Sequence, residues 1–294
     1  MRAAGVDAGA RVVQAARVSM DPAGAVVPSW RRRVRTLVVA AGRDVAGLVV
    51  PVACAGCGRV DEPWCAPCAA ALAGPVVRRD HGAGRLDLLD GRTLLPVLGP
   101  GTYAGPLRHG VAAWKDGGRT DLDRPFAAAA HRTGRALAPG TGHVAGRAGP
   151  VLVVAVPSTA QARRRRGRDP VDVLAAAVAE GLCSGGVPAV RARPLGRSGG
   201  PDLAGLGARA RGDALRGRVR VRAAARLRGR VVVLVDDVLT TGATLAACHG
   251  ALVAAGARVP AAGVLAATPP AGAAGVADVA PSVRGVSRRD AAEG

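Results

Sequence analysis

The sequence predicts a parallel α/β sheet flanked by helices, preceded by a small metal-held module. Three observations predict it. Two continuous apolar runs, VLVVAVP at 151–157 and VVVLV at 231–235, read as strands buried on both faces. Each run is followed by a segment of helical character, and strand–helix–strand order implies parallel pairing with right-handed crossovers. Four cysteines fall within residues 54–68 of a chain with no export signal, which suggests metal ligation rather than disulfides.

At 294 residues the chain can hold one large domain, or one domain with a small module. Apolar residues make up 49%, but Phe and Tyr occur once each and Trp three times, so the core must be built from Val, Ala and Leu. The formal charge is +20, and all but one of the 41 basic residues are arginine; the exception is Lys115. Such a balance favours polyanionic partners: nucleic acid, phosphorylated metabolites or acidic membrane. A general Ala/Arg/Gly/Val bias also inflates arginine, so charge does not decide the function. No stretch reaches about 18 uninterrupted apolar residues, so no membrane span is expected. The first residues are basic and lack the apolar segment of a secretory signal, and a cytoplasmic protein is expected.

In chain order, residues 1–33 show no sustained periodicity and read as a disordered basic extension. Leu37, Val38, Ala41, Val45, Leu48 and Val49 share one helical face, and Pro51 ends that helix. With the cysteines it makes a module over 34–75. The main domain, 76–268, begins with short strands around an Asp90-Gly91 turn. Helices follow at 106–116 and 122–138, then the strand at 151–157 and a helix at 171–181. The Gly/Arg-rich stretch 191–230 carries no clear period. After VVVLV come a helix at 244–255, a stop at Gly256, and an apolar strand at 262–267. Residues 269–294 turn to Pro, Ala and Gly and read as a disordered tail.

The strand VVVLV runs into Asp236 and Asp237. Ligands bind at the carboxyl ends of strands in open α/β sheets. Alternate strand residues point to opposite faces, so both carboxylates serve one ligand only if the strand is already turning. In the loop LTTGAT, Gly242 permits a positive φ, so that backbone N–H groups curl around an anion. Thr240, Thr241 and Thr244 add hydroxyls, and the following helix directs its partial positive charge at the same spot. A strand ending in Asp-Asp also suits a P-loop ATPase. That class needs G-x-x-x-x-G-K-[ST], and the only lysine sits in AAWKDGG. A plain helix cap explains one threonine, but not two carboxylates beside three hydroxyls.

The eleven residues LVDDVLTTGAT resemble the phosphoribosyl-diphosphate signature of type I phosphoribosyltransferases. The resemblance implies that family's fold, a parallel sheet flanked by helices with a small hood. It implies that Asp236 and Asp237 engage the ribose hydroxyls, and that Thr240, Thr241, Gly242, Ala243 and Thr244 hold the 5-phosphate. Mg2+ would accompany the phosphoribosyl diphosphate.

Cys54, Cys57, Cys65 and Cys68 are spaced C-x2-C-x7-C-x2-C. Each C-x2-C turn brings two thiolates to one ion, and two such knuckles complete a tetrahedral Zn2+ site. A redox dithiol is the rival, although two pairs so close together favour zinc. An iron–sulfur centre uses the same ligands. Cys183 and Cys248 lie apart and read as ordinary thiols.

The order of these features, with YAGPLR and WKDGG between the cysteines and VAVPS, is similar to the ComF family of competence-associated, phosphoribosyltransferase-like proteins. The resemblance spans about residues 35–268. It implies that Pro157, Ser158 and Thr159 face the diphosphate, with Arg163 and Arg166 beside them, since guanidinium groups suit bidentate phosphate contacts. The run RRRRGR reads equally as a solvated basic loop. The resemblance further implies transfer of phosphoribosyl to an unnamed acceptor, with single-stranded DNA or the competence machinery and a homodimer as further partners. The alternative is a non-catalytic DNA-uptake protein that keeps the phosphate site as sensor or relic. The family usually carries R-G-F-N-Q where this chain has RGRDP at 166–170, a glutamine near Leu203, and an asparagine near Asp213. Those departures fall on the acceptor side.

Overall fold

The structure, a computed structural model, describes residues 52–88, 90–146, 149–198, 217–222 and 224–269. The expected extension at 1–33, the helix at 37–49, Leu203, Asp213 and nearly all of the tail lie outside the described residues. The elements are helix α1 (Ala66–Ala73), strands β1 (Val77–Arg78), β2 (Val97–Gly99) and β3 (Gly101–Thr102), and helices α2 (Gly105–Lys115) and α3 (Asp123–Ala145). They continue with β4 (Val151–Ala155), α4 (Ala160–Arg166), α5 (Pro170–Ser184), β5 (Ala189–Ala192), β6 (Leu195–Arg197), β7 (Val219–Val221), β8 (Val231–Leu239), α6 (Ala243–Ala254) and β9 (Arg258–Ala267).

The main sheet runs β1-β2-β9-β8-β4-β5, with β3 also on β9; every pairing is parallel except β1 with β2. The two apolar runs therefore lie side by side at its centre. Val231, Val233 and Val235 pack with α2, α3 and α5, whereas Val232 and Leu234 pack with α6 and the segment around Leu86 and Leu95. This is the mostly parallel sheet, flanked by helices, that the sequence predicts. Helices α3 and α5 approach closely because Gly134 and Gly181 meet: a Cβ on Gly181 would lie 2.1 Å from the His131 carbonyl oxygen.

Several boundaries differ from expectation, each for a physical reason. β8 does not turn at its aspartates but stays paired with β9 to the Leu239–Ala267 register, and Thr268 N donates to Leu239 O at 2.8 Å. α3 continues past Pro139 to Ala145, because Thr141 and Ala145 prolong its buried face. The RRRR run is helical rather than a loop: Thr159 caps α4 by accepting from Ala162 N, and Gly167 ends it at φ 66°. Within the unassigned stretch, β5 joins the sheet beside β4, while β6 and β7 form a separate antiparallel ribbon.

Asp80 is fully buried, and every contact it makes ties the segment between β1 and β2. It accepts from Arg78 (2.8 and 2.5 Å), Thr93 Oγ1 (3.1 Å) and Val97 N (3.0 Å). Burial pushes its carboxyl up, but Arg78 and the Val97 amide outweigh that and hold it at about 2. The segment so pinned presses Leu86 against the loop after β8.

Candidate functional site

The carboxyl ends of β4 and β8 open onto a cavity of about 410 Å³. Asp236, Asp237, Thr240 and Thr244 line it from β8 and the start of α6; Pro157, Ser158, Thr159 and Arg166 line it from the β4–α4 side. Strand alternation starts the two side chains on opposite faces of β8, yet both carboxylates border this one cavity, so the strand presents both to it without the turn expected from the sequence. Asp237, 2% exposed, falls on the α2 face, where Lys115 Nζ lies 2.5 Å from its Oδ2. Asp236 falls on the α6 face and remains partly open to the cavity; its Oδ1 accepts from Asp237 N at 2.9 Å. Burial, with repulsion from Asp237, pushes the Asp236 carboxyl well above the usual range, against the pull of Lys115. Burial works against the Lys115 ammonium, yet the two carboxylates raise it overall.

The loop from 240 to 244 turns at Gly242, whose φ of 78° is left-handed and whose missing Cβ leaves room for Leu86. A Cβ there would lie 2.6 Å from Leu86 Cγ. Gly242 is itself the N-cap of α6, and no side chain caps the helix. The helix therefore starts with backbone donors that no threonine hydroxyl satisfies well, Thr241 Oγ1 reaching Ala243 N only at 3.5 Å. Thr240 and Thr244 line the cavity, whereas Thr241, exposed, uses its carbonyl to hold Arg85 N.

On the β4–α4 side the expected residues separate. Ser158 Oγ donates to Asp169 at 3.2 Å, and burial raises the Asp169 carboxyl. Thr159 lines the cavity while its hydroxyl caps α4. Arg166 also lines it, held by Asp116 Oδ1 at 2.8 Å. Arg163 lies elsewhere: its Nη1 donates to Ser158 O, and its side chain borders a different cavity.

Cys54, Cys57, Cys65 and Cys68 bring their sulfurs within 4.8 Å of one another. Cys54 and Cys57 each lie 3.6 Å from Cys65. Four thiolates at about 2.3 Å from a tetrahedral Zn2+ stand about 3.8 Å apart, so the cluster fits that ion. Burial alone would raise the Cys54 thiol, but N–H donors from Cys65, Cys57 and Gly56 hold it down at about 6. Cys68 is pushed up by burial and by the neighbouring sulfurs. The module is docked on α2, its C-terminal turn and α3: Arg119 donates to Ala53 O and Pro63 O, His109 Nδ1 meets Gly56 O, and Trp64 packs edge-on to Phe126 of α3 at 5.6 Å.

No protein-family model matches the chain, and no curated protein matches it. Solved structures do. The chain is similar to the HGPRT-ase from Leishmania tarentolae in complex with GMP, at 16% identity and TM-score 0.32, over 49% of this chain and 67% of that one. It is similar to hypoxanthine phosphoribosyltransferase from Trypanosoma cruzi at 15% identity and TM-score 0.33, over 49% and 68%. Phosphoribosylpyrophosphate synthetase from Mycobacterium smegmatis matches at 22% identity and TM-score 0.22, over 42% and 31%. No helix among the described residues is long and apolar enough to cross a membrane.

Sequence reasoning missed four polar residues that line this cavity: Tyr103, Lys115, Asp116 and Arg197. Composition held a signal for two of them, the single tyrosine and the single lysine of the chain. Arg197, on β6, has its Nε buried with no partner among the described residues, and burial lowers its pKa. It falls in the stretch without a clear period.

Proposed function

We propose that the chain is a ComF-like phosphoribosyltransferase that binds phosphoribosyl diphosphate with Mg2+ in the cavity over β4 and β8. One observation carries the reading. Asp236, Asp237 and Lys115 converge with Thr240 and Thr244 at a helix start that no side chain caps. Free N–H donors and hydroxyls suit a phosphate monoester, and carboxylates beside them suit sugar hydroxyls.

In this reading the 5-phosphate sits at the start of α6, and the ribose lies over Asp236 and Asp237. The bond from ribose C1 to the diphosphate oxygen breaks as the bond to the acceptor forms. Positive charge builds on the ring, and the two carboxylates offset it. The leaving diphosphate lies along Pro157 to Thr159, where Arg166, oriented by Asp116, offers its guanidinium. Carboxylate oxygens and hydroxyls are hard donors that fit Mg2+, which would supply charge neutralisation for the diphosphate. Lys115 keeps Asp237 compensated inside the protein when no ligand is bound.

Calorimetry with phosphoribosyl diphosphate tests the reading. Wild type is expected to give Mg2+-dependent binding heat that Asp236→Asn with Asp237→Asn removes. No such heat in the wild type would overturn the function, and equal heat in both proteins would overturn the site.

A further inference from the structure

On the far side of the β4–α4 loop lies a second cavity, of about 510 Å³. Its lining shares only Val156 and Pro157 with the ribose cavity. Its apolar floor is Ala155, Val156 and Leu195, and its walls carry five arginines against two aspartates. Most of those charges already have partners. Asp172, 7% exposed, accepts from Arg191 at 2.6 Å and from Arg193 Nε at 2.9 Å. Arg168 is held by both oxygens of Asp123, and Arg163 by the Ser158 carbonyl.

Two arginines remain. Arg164 comes from α4 and Arg222 from the end of β7, and the side chain of neither has a hydrogen bond or ion pair among the described residues. They belong to different elements and border the same space. Arg222 lies beside β6: a Cβ on Gly196 would meet its Nε at 3.4 Å, an ordinary van der Waals contact. Both side chains are exposed at the rim of the cavity, where two guanidinium groups concentrate positive charge and an anion between them would satisfy their planar donors. A cavity of this size holds a molecule of nucleotide dimensions.

We propose that this cavity is a second anion site, taking a small phosphorylated molecule between Arg164 and Arg222, separate from the ribose cavity. The β4–α4 loop is the wall between the two, so one ligand would touch each side of it. The inference goes beyond the transferase reading and does not depend on it.

The test is titration calorimetry with inorganic diphosphate, without Mg2+ and at fixed ionic strength. The proteins are wild type, R164A/R222A, and a charge-matched control, R124A/R135A, whose two arginines are exposed on α3. Because neither the Arg164 nor the Arg222 side chain holds another group among the described residues, R164A/R222A is expected to unfold at the wild-type temperature. It should lose one bound equivalent, or weaken it at least tenfold, while the control stays within twofold. An unchanged isotherm in R164A/R222A, or an equal loss in the control, overturns the proposal. So does a single-stranded oligonucleotide that loses affinity in R164A/R222A while diphosphate does not, because the two arginines would then serve nucleic acid. Whatever the ribose cavity binds is common to all three proteins, so failure of the transferase reading is seen separately.

Discussion

Lys115 Nζ lies 2.5 Å from Asp237 Oδ2 and ties the last residue of α2 to the central strand of the sheet. Its two chain neighbours make comparable ties. Trp114 Nε1 donates to Asp123 Oδ1 at 2.6 Å, and Asp116 holds Arg166. The end of α2 is thus the point where the β4–α4 side and the β8 carboxylates are set relative to one another.

Lys115→Met leaves a nearly buried carboxylate without its cation. Breaking buried pairs typically costs ~3–5 kcal/mol, and the partial exposure of Lys115 puts the expected loss nearer ~2 kcal/mol. Restoring neutrality with Asp237→Asn in the same chain should recover most of it. Urea unfolding of the two single variants and the double variant reads the coupling directly. Additive losses would show that the pair does not interact.

Gly242→Ala faces two penalties at once. The left-handed φ costs an L residue about 1–2 kcal/mol, and the added Cβ meets Leu86 Cγ at 2.6 Å. The expected result is a lower unfolding temperature together with weakened phosphoribosyl diphosphate binding. Adding Leu86→Ala relieves the clash but not the backbone strain, so binding should stay impaired. Full recovery of binding in that double variant would place the effect in packing alone.

Asp80 gives a pH dependence whose sign follows from its depressed pKa. Its folded value is about 2, below the ordinary ~3.9 of an unfolded chain. Its contribution to stability is therefore fully present above about pH 4 and fades as pH falls toward 2. Asp80→Asn removes that contribution. The stability gap between wild type and variant should be constant from pH 5 to 7 and close between pH 4 and 2. A gap that widens on acidification would contradict the assignment.

The two central apolar strands, the helix over 106–116, the cysteine cluster and the loop at 240–244 were legible because each is a local pattern, whereas β5, β6 and β7 fell where the Gly/Arg-rich stretch shows no period. Apolar runs, i,i+3 spacings and a left-handed glycine are written in neighbouring residues. The pairing of Lys115 with Asp237, and of Asp116 with Arg166, is set by tertiary packing between distant segments, and no local period announces it. Arg163 shows the same limit from the other side. It stands three residues before Arg166, yet its side chain borders the other cavity, a difference decided by the helical turn of α4 that a basic run conceals. The continuation of β8 beyond its aspartates was hidden as well, since only the register with β9 keeps Val238 and Leu239 in the strand.

The four-cysteine module supplies the remaining prediction. Cys54, Cys65 and Cys68 are buried whereas Cys57 is exposed, so a chelator reaches the site past Cys57. Protein purified without chelator should carry about one equivalent of zinc by elemental analysis; less than half an equivalent would count against the site. Metal binding is also folding free energy in a module this small, so chelation should lower the unfolding temperature. Trp64 packs against this module and against Phe126, and its emission should shift to the red as the metal leaves. Arg119→Ala removes the two hydrogen bonds that brace Ala53 O and Pro63 O but no ligand. That variant should bind the full equivalent of zinc and lose it to chelator several-fold faster. A loss rate equal to wild type would show that α2 and its C-terminal turn do not support the module through Arg119.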